Sequence, residues 1–515
     1  MGTGAEVAAN VGHVVIMTQE NRSFDEYFGT LNGAIGFADP NAIPGVFTQP
    51  CPGLLNGLQP WPFDTTTYTE ATPGCYHDWP SMHGYWNGGQ MNGWLTSVPL
   101  TDTPQSCLAY YLHESIPYHF RLAQAFTVCD SYFASALGPT GPNRLYLMSG
   151  SIGQSTGQAA VDTGTPPNSN AFGSLQWAPY AKMLTDRGVT WAVYDEAGPY
   201  PSPQSCPYMD LNVLTYFTDW PQLKTEAPAP NPTYRPGPGQ FEADVASGQL
   251  PQVSWVIPPW PDTEHPTYSP AGIANVYSKV WSLLDSANPG AAYNYWQDTV
   301  LIVNYDECDG HFDHVPPPTP AAGAAGEWLA PDGSMPPPGA ATSYPSYWPV
   351  GAGFRVPAFV ISPWSVGGRV CSTPYDHTST LKLLYLAFGD GASHGSNLAP
   401  ALSDFRWFTF GDLSEPLAFS NPRAPAAGQL PSLAEVQAWA APIVANANAA
   451  KNLDIAPTGK EPAFPQPPYP SKPLVQCCLD GGIPLPAGCA SAPLSIVTNA
   501  LKAVAKRTRS AIHPR

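Results

Sequence analysis

Six short apolar runs along the chain have the pattern of strands buried inside a sheet. Strands covered on both faces are almost continuously apolar, whereas half-exposed strands alternate apolar and polar residues. Helical patterns separate some of the runs, at residues 180–187 and 273–288. This alternation predicts an α/β fold with a mostly parallel sheet covered by helices on both faces. The predicted strands are residues 13–17, 125–128, 189–194, 253–257, 299–305 and 356–361.

The pattern changes after about residue 415. A turn-like segment at 421–425 precedes a helical pattern at 433–441, which we expect Pro442 to end. Residues 457–473 are rich in proline. We therefore predict a main domain over residues 1–415, a proline-rich wrap packed on it over 416–490, and a basic tail over 491–515.

Charge and composition narrow the function classes. Only 12% of the residues are charged, while 63 are proline, and chains with many fixed turns suit an exported, secreted or periplasmic protein. The net charge of −18 disfavours nucleic acid as a partner. The basic tail is either a helix against anionic lipid or a disordered end. No apolar run approaches the roughly 20 residues of a membrane span.

Ten cysteines are present, without a C-x-x-C pair or a zinc-like Cys/His spacing. The spacing argues against a structural zinc site. Disulfides are expected if the protein is exported, and ordinary buried thiols if it stays in a reducing compartment. No signal peptide is recognisable, so export is an inference from composition alone.

Two adjacent carboxylates, Asp306 and Glu307, follow the fifth predicted strand directly. Carboxylates at the end of a buried strand are costly unless positive charge compensates them. A divalent cation is the simplest partner, because hard cations take carboxylate oxygens. The competing interpretation is a solvated acidic loop.

Glu20 and Asn21 follow the first predicted strand in the same way. Ligand sites in parallel sheets lie beyond the carboxyl ends of the strands, so these two side chains are candidates to join Asp306 and Glu307. Alternatively, Ser23 and Asp25 cap the next helix and Glu20 is solvated.

Thr140 begins a helical pattern, with Pro142 in its first turn. A hydroxyl at a helix N-terminus meets free N–H groups that bind a phosphoryl oxyanion. Metal coordination would lower its pKa enough for attack on phosphorus. The alternative is that Thr140 is only an N-cap; Ser149 and Ser151 are rival hydroxyls that lie deeper in or beyond the helix.

Four histidines lie in loops beside Asp, Glu or Pro. Each of them either protonates a leaving group or has only a structural role. They are His77, His265, His314 and His377. The aromatic residues around His77, among them Trp79, would either hold a quaternary ammonium group or pack the core.

With these residues assembled, the chain resembles the bacterial phosphoesterase family that contains phosphocholine-preferring phospholipases C and related acid phosphatases. The resemblance spans residues 13 to about 385. Thr rather than Ser at position 140 resembles the phospholipase branch. The motifs that carry the resemblance are residues 19–29, 138–144, 304–318, 354–368 and 376–379.

The resemblance implies an alkaline-phosphatase-like, three-layer α/β/α sandwich with one divalent metal ion, whether Ca, Zn, Mg or Mn. Its implied ligands are Glu20, Asn21, Asp306, Glu307 and the nucleophile Thr140. His77, His265 and His314 would be catalytic. Asn21, Asn143, His377 and Trp79 would contact the substrate.

Our leading hypothesis is a phospholipase C that cleaves phosphatidylcholine-like lipids to diacylglycerol and phosphocholine through a phosphothreonyl intermediate. A broad-specificity acid phosphatase with the same site is the nearest alternative. A secreted binding protein with a structural calcium site is a more distant one. The expected partner is a phospholipid or phosphate ester, with peripheral membrane contact and no transmembrane span.

Overall fold

The structure of the chain is a computed structural model that describes most of the first 447 residues and a few segments beyond them. The described residues are 2–63, 72–97, 104–153, 173–198, 211–225, 233–266, 268–389, 400–447, 457, 461, 464–465, 469 and 474–478. The predicted basic tail, residues 491–515, lies outside them, as does most of the proline-rich stretch 457–473.

Strands of the described residues form one large sheet and three small two-stranded ones. The strands are β1 (His13–Gln19), β2 (Gln49–Cys51), β3 (Leu54–Leu58), β4 (Trp61–Pro62), β5 (Ala109–Tyr110), β6 (Thr127–Cys129), β7 (Trp191–Asp195), β8 (Tyr234–Pro236), β9 (Val253–Ile257), β10 (Thr299–Tyr305), β11 (Trp328–Leu329), β12 (Trp348–Pro349), β13 (Ala358–Ile361), β14 (Arg369–Cys371) and β15 (Val475–Cys478). The main sheet has the order β15-β14-β6-β13-β10-β1-β9-β7-β8. Within the described chain, β13 alone runs antiparallel to its neighbours in this sheet.

Two groups of helices cover the main sheet. The helices are α1 (Gly4–Asn10), α2 (Phe24–Phe28), α3 (Trp79–Trp86), α4 (Pro117–Ala125), α5 (Thr140–Ser149), α6 (Tyr180–Asp186), α7 (Trp220–Leu223), α8 (Gln240–Ser247), α9 (Ile273–Asp285), α10 (His377–Phe388), α11 (Asp404–Thr409) and α12 (Leu433–Ala447). Helices α1, α5, α6 and α10 contact one another in one layer, whereas α8 and α12 pack on α9 in the other. The predicted three-layer α/β class and all six predicted strands are confirmed.

The central pair of strands explains why the sheet builds a site. Strands β1 and β10 are parallel and in register from His13 opposite Thr299 to Gln19 opposite Tyr305. All seven residues of β10 are buried, as its continuous apolar pattern predicts. Since both strands end at the same level, Glu20 and Asp306 leave the sheet side by side, and the Asp306 N–H donates to the Gln19 carbonyl at 3.1 Å.

One predicted helix boundary is wrong. Helix α12 continues through Pro442 to Ala447 instead of ending before the proline. The proline removes the hydrogen bond to the carbonyl of Ala438. Ala438 is exposed, so water can satisfy that carbonyl, while Val436 on the other face is buried. Packing of the apolar face therefore outweighs the local signal to stop.

The described part of the proline-rich wrap lies against the core. Leu417 and Leu430 are buried, the Phe419 ring packs on Trp364, and β15 extends the edge of the main sheet. Cys75 and Cys107 form a disulfide, and Cys371 is disulfide-bonded as well. None of the described helices combines the length and the apolar character that crossing a membrane requires.

Helix α10, which starts at His377, is held in place by a buried ion-pair cluster. Asp376 caps the helix and accepts a hydrogen bond from Arg406 Nη1 at 2.8 Å. The same guanidinium pairs with Glu327 through Nε and Nη2, both at 3.0 Å. One buried cation thus satisfies two buried carboxylates from separate segments.

Replacing Arg406 should therefore destabilise the protein strongly. We expect Arg406→Ala to lower the free energy of unfolding by about 3–5 kcal/mol, because Glu327 and Asp376 stay buried without a cation. Urea denaturation followed by tryptophan fluorescence measures the change. Arg121→Ala, which removes an exposed arginine, is the control and should cost about 0.5 kcal/mol or less. Equal losses in the two variants would contradict the prediction.

Candidate active site

Four oxygen-bearing side chains meet where β1 and β10 end. Asp306 Oδ1 accepts hydrogen bonds from the backbone N–H groups of Asn21, at 3.1 Å, and Glu307, at 2.8 Å. Asn21 adopts a φ of +53°, which turns the chain sharply after Glu20. Glu20, Asn21, Asp306 and Glu307 are all completely buried. The structure thus brings the four predicted ligands together and rules out a solvated acidic loop.

Thr140 points into this group. It is the first residue of α5, and its Oγ1 donates a hydrogen bond to Glu20 Oε2 at 3.4 Å. Pro139 occupies the N-cap position, so the alternative of Thr140 as a simple N-cap is wrong. The hydroxyl therefore stands at the helix N-terminus with its proton directed at a carboxylate.

Asn143 fixes the loop that carries Thr140. Its Oδ1 accepts from the Ala136 N–H at 2.8 Å, and its Nδ2 donates to the carbonyls of Gly138 and Pro139 at 2.9 and 3.0 Å. The side chain is fully buried and uses both ends within this loop. We therefore replace its predicted substrate contact with a positioning role.

Arg144 is a residue of the site that sequence reasoning missed. Its Nε donates to Glu20 Oε1 at 2.9 Å and to Asp306 Oδ2 at 3.1 Å, and Nη2 donates to the Thr18 carbonyl at 3.3 Å. Arg144 lies one helical turn after Thr140 and therefore on the same helix face. That spacing was the available signal. The guanidinium neutralises part of the buried negative charge.

Two buried oxygens of the site remain open. Asn21 Oδ1 and Glu307 Oε1 accept no hydrogen bond from the described residues. Burial is the main cause that raises the pKa of Glu20, and the neighbouring Asp306 carboxylate raises it further. Burial is also the main cause that raises the pKa of Glu307, and the carboxylates of Asp309 and Asp306 add to it. Divalent cations bind carboxylate and amide oxygens, so unsatisfied oxygens among several carboxylates are suitable ligands for such a cation. The residues therefore fit the implied metal.

Asp309 connects this group to His77. Its Oδ1 accepts from Asn21 Nδ2 at 2.8 Å and lies 3.1 Å from His77 Nδ1, and its Oδ2 accepts from the Cys75 N–H at 2.7 Å. His77 Nε2 lies 3.6 Å from Glu307 Oε1. His77, Glu307 and Asp309 also offer ligand atoms within 4.8 Å of one another. Asp309 is thus a further candidate ligand that sequence reasoning did not select.

His77 has a defined orientation at the mouth of the site. Its side chain is 29% exposed, and its Nδ1 lies 2.8 Å from the Cys75 carbonyl. A carbonyl only accepts, so Nδ1 carries a proton and Nε2 is left for chemistry. The imidazole therefore presents Nε2 beside Glu307.

His265 is held by the residue before it. Glu264 is fully buried, has a φ of +67°, and its Oε2 accepts from Tyr27 OH, Tyr305 OH and His119 Nε2, each at 2.9 Å. His265 Nδ1 lies 2.6 Å from the Pro266 carbonyl, so Nδ1 carries the proton that this carbonyl accepts. Burial lowers the pKa of His265, against the opposing effect of Asp309. Glu264 is therefore a positioning residue for the predicted catalytic histidine.

Two other predicted substrate contacts have internal partners. His377 Nε2 lies 2.7 Å from the backbone carbonyl of Asp306, so this histidine supports the ligand loop from behind. Trp79 is 1% exposed, and its ring packs 4.1 Å from that of His83. We assign both residues structural roles because their contacts lie within the protein, on a backbone carbonyl for His377 and on the His83 ring for Trp79.

His314 belongs to a separate ion-pair cluster. Its Nδ1 hydrogen bonds to Asp25 Oδ2, and its Nε2 lies 3.5 Å from Asp39. Arg355 pairs with Asp25 and Asp313 at 2.9 Å each. Burial alone would lower the pKa of His314, but Asp25 outweighs burial and raises it to about 9. A histidine fixed as a buried cation is a structural group, so we leave it out of the proposed chemistry.

Comparison with known proteins decides the family. The model of the Phosphoesterase family matches residues 11–389, which hold every residue of the site described above. The chain belongs to the Phosphoesterase family. As a phosphoesterase, it is a phosphoric ester hydrolase, as the sequence predicts.

Named relatives of this phosphoesterase include bacterial phospholipases C. It is 37% identical over 445 residues to phospholipase C B of Mycobacterium tuberculosis, covering 81% of this chain and 79% of the relative. It is 35% identical over 403 residues to the hemolytic phospholipase C of Pseudomonas aeruginosa, covering 74% of this chain and 53% of the relative.

Solved structures match this phosphoesterase only distantly. A Vibrio parahaemolyticus protein described as a member of the alkaline phosphatase superfamily has a TM-score of 0.26 and 14% identity, covering 63% of this chain and 71% of that one. The fold assignment therefore relies on the sheet order and the helix layers of the chain itself.

The structural role of His314 predicts a pH-dependent stability difference. A histidine whose pKa rises from 6.5 to about 9 on folding stabilises the protein fully below pH 6.5 and loses this effect as the pH rises through 9. His314→Gln should therefore lower the free energy of unfolding by about 3 kcal/mol at pH 6 and by much less at pH 9. Urea denaturation at several pH values measures this difference.

His83→Gln is the matched control for His314→Gln. Burial lowers the pKa of His83 to about 4, so its contribution is constant above pH 6.5. The difference between this variant and the wild type should not change between pH 7 and pH 9. A purely structural His314 would be contradicted if the difference in free energy of unfolding from the wild type changed with pH in the same way for both variants. It would also be contradicted if folded His314→Gln protein lost more than about tenfold in turnover.

Proposed function

We propose that this phosphoesterase is a metal-dependent phospholipase C that cleaves phosphatidylcholine-like lipids to diacylglycerol and phosphocholine. The observation that carries the proposal is the Thr140 hydroxyl, which lies at the start of α5 and 3.4 Å from Glu20 Oε2 within a group of buried carboxylates. The names of the most similar relatives support the choice of a phospholipid diester over other phosphate esters.

The first step uses Thr140 as the nucleophile. Its hydroxyl proton is directed at Glu20 Oε2, so the oxygen lone pairs are free to attack phosphorus. The bond between Thr140 Oγ1 and phosphorus forms as the bond from phosphorus to the glycerol oxygen breaks. The glycerol oxygen takes a proton and leaves as diacylglycerol.

Hydrolysis of the phosphothreonyl group completes the reaction. A water oxygen attacks phosphorus, the bond to Thr140 Oγ1 breaks, and phosphocholine is released. The threonine regains its proton from the attacking water through the neighbouring acid–base groups. Backbone N–H groups in the first turn of α5 would hold the phosphoryl oxygens through both steps.

Glu20, Asn21, Asp306 and Glu307 would hold the divalent cation, with Asp309 as a further candidate. The chemistry that such a cation supplies is a positive charge, which lowers the pKa of the attacking hydroxyl and neutralises charge on the phosphoryl oxygens. Arg144 keeps the carboxylates of Glu20 and Asp306 oriented.

His77 and His265 are the proposed proton donors to the leaving group. Both have Nδ1 against a backbone carbonyl, at 2.8 and 2.6 Å, which orients Nε2 for proton transfer. His77 is partly exposed at the mouth of the site, where a leaving diacylglycerol would depart. Burial lowers the pKa of His265, so this imidazole gives its proton up readily once Nε2 is protonated.

Export is part of the proposal. The disulfide between Cys75 and Cys107 supports a secreted or periplasmic location, because such bonds persist mainly in oxidising compartments. The disulfide encloses the segment that carries His77. In an oxidising environment outside the cell, the disulfide would stay intact and keep the segment of His77 fixed.

Loss of the Thr140 hydroxyl should abolish turnover. We expect Thr140→Ala to lower kcat/KM by about 10³-fold or more, because the covalent step loses its nucleophile. Thr140→Ser, which keeps the hydroxyl, should retain measurable activity. p-Nitrophenylphosphorylcholine reports diester cleavage and p-nitrophenyl phosphate reports monoester cleavage.

The two substrates separate the proposal from an acid phosphatase with the same site. The wild type should cleave the choline diester with the higher kcat/KM. A wide preference for the monoester would replace the proposal with a phosphatase. Wild-type turnover by a correctly folded Thr140→Ala variant would remove the nucleophile assignment.

Metal removal should suppress the activity reversibly. Dialysis against a chelator should lower turnover by at least about a hundredfold and lower the melting temperature, because a ligand that binds only the folded state stabilises it. One of Ca²⁺, Zn²⁺, Mg²⁺ or Mn²⁺ should restore both. Glu307→Gln should weaken the metal affinity, whereas Asp332→Asn, an exposed acid in a distant loop, should not. Full activity in metal-free protein would contradict the assignment.

A further inference from the structure

The hairpin of β2 and β3 carries two exposed leucines. Its strands pair Gln49 with Leu58 and Cys51 with Leu54, so Pro52 and Gly53 form the turn. Leu54 is 48% exposed and Leu55 is fully exposed. Large apolar side chains are seldom left in water side by side without a function. The segment has no part in the site chemistry described above.

The hairpin is rooted against the loop that follows β10. Gln49 is buried, and its Nε2 donates to the carbonyls of Val46 and Met91 at 2.7 and 2.9 Å. The Phe47 ring packs 5.0 Å from the ring of His314, on the loop that follows β10. The base of the hairpin is therefore fixed at the carboxyl edge of the sheet, where Glu20 and Asp306 also lie.

The same loop links the hairpin to the mouth of the site. Gly310, four residues before His314, packs so closely on the Tyr76 carbonyl that an added Cβ would lie 2.3 Å from it. Tyr76 precedes His77 and is 40% exposed. One short loop thus contacts the root of the hairpin at one end and the segment of the exposed histidine at the other.

The chemistry of the hairpin indicates what covers it. Residues 40–63 include no Asp, Glu, Lys, Arg or His, in a chain of net charge −18. Leu54 and Leu55 are consecutive strand residues, so they point to opposite faces, and both are exposed. A protein surface would cover one face of the hairpin, whereas a lipid phase surrounds a tip that enters it.

The prolines of the hairpin favour the same partner. Pro50 lies in β2 and Pro52 in the turn, and neither has a backbone N–H that would need a partner in an apolar medium. The turn therefore enters lipid with fewer unsatisfied donors than an ordinary hairpin would.

We propose that the tip of the β2–β3 hairpin inserts into the surface of a zwitterionic lipid bilayer and seats the enzyme for its lipid substrate. The choice of lipid as partner rests on the proposed function. The neutral hairpin binds without electrostatic attraction, while the acidic body is repelled by anionic lipid. Binding of phosphatidylcholine vesicles through the hairpin is therefore insensitive to salt.

Replacing both leucines tests the insertion. Leu54→Ser combined with Leu55→Ser should weaken binding to phosphatidylcholine vesicles at least tenfold, because two apolar side chains no longer leave water. Cleavage of vesicle phosphatidylcholine should fall by a similar factor, while cleavage of soluble p-nitrophenylphosphorylcholine should stay within about twofold, since neither leucine touches the site. Vesicle co-sedimentation and the two assays measure these values.

Tyr293→Ser is the matched control for the double variant. Tyr293 is 40% exposed, and its ring packs 6.0 Å from that of His13, the first residue of β1, at the opposite edge of the sheet. This variant should bind vesicles as the wild type does. Light scattering of the wild type and the double variant without lipid checks the oligomeric state.

The outcomes separate the hairpin proposal from the proposed function. Unchanged vesicle binding by the double variant overturns the insertion, whatever the enzyme cleaves. A dimer that dissociates in the double variant would assign the leucines to a second copy of the chain and also overturn it. Vesicle binding that depends on the leucines, in a protein without phosphodiesterase activity, would support the insertion and reject the phospholipase.

Discussion

The parallel register of β1 against β10 is the constraint on which the site depends. It delivers Glu20 and Asp306 to the same point from chain positions 286 residues apart, with Asn21 and Glu307 beside them. Packing of two apolar strands thus places carboxylates together that would otherwise repel. Arg144 offsets part of that repulsion, but its guanidinium bonds to Glu20 and Asp306, while Glu307 and Asp309 are fully buried as well. The remaining negative charge would give the site its proposed affinity for a cation, so the repulsion among the assembled carboxylates and the capacity to bind metal would have one origin.

Buried ion pairs outside the site serve a different purpose. Arg355 joins Asp25, which follows the Glu20 turn, to Asp313, which follows the Asp306 turn. Arg406 joins the cap of α10 to Glu327 in a distant loop. A buried pair seldom adds much net stability, since desolvation of both charges offsets their attraction. Breaking one is nevertheless costly, so these pairs fix the relative positions of loops that have no strand pairing between them. The chain therefore uses sheet register to place the proposed ligands, and it uses ion pairs to hold the loops that carry them.

Sequence reasoning found what local pattern determines and missed what tertiary partners determine. The continuous apolar run of β10 identified a buried strand, and the acids directly after it identified the edge at which a ligand would lie. Thr140 was recognisable because a helix start is readable from Pro142 and the apolar pattern that follows. The role of His314 was not readable, because it depends on Asp25, nearly 290 residues away, which turns a candidate proton donor into a fixed cation. The prediction that α12 ends before Pro442 failed for a related reason. The proline does remove a backbone hydrogen bond, but contacts of α12 with the core outweigh that loss.

The loop after β10 would couple the proposed chemistry to the proposed surface attachment. Asp306 and Glu307 begin it, Gly310 packs against the segment of His77, and Phe312 and His314 contact the Phe47 ring at the base of the exposed hairpin. Every residue from 306 to 314 is buried, so the loop has little freedom to move independently of either neighbour. A rigid connection between the hairpin and the proposed metal ligands would set the depth at which the phosphate of a membrane lipid meets Thr140. A membrane anchor on a flexible hinge would leave that depth undetermined.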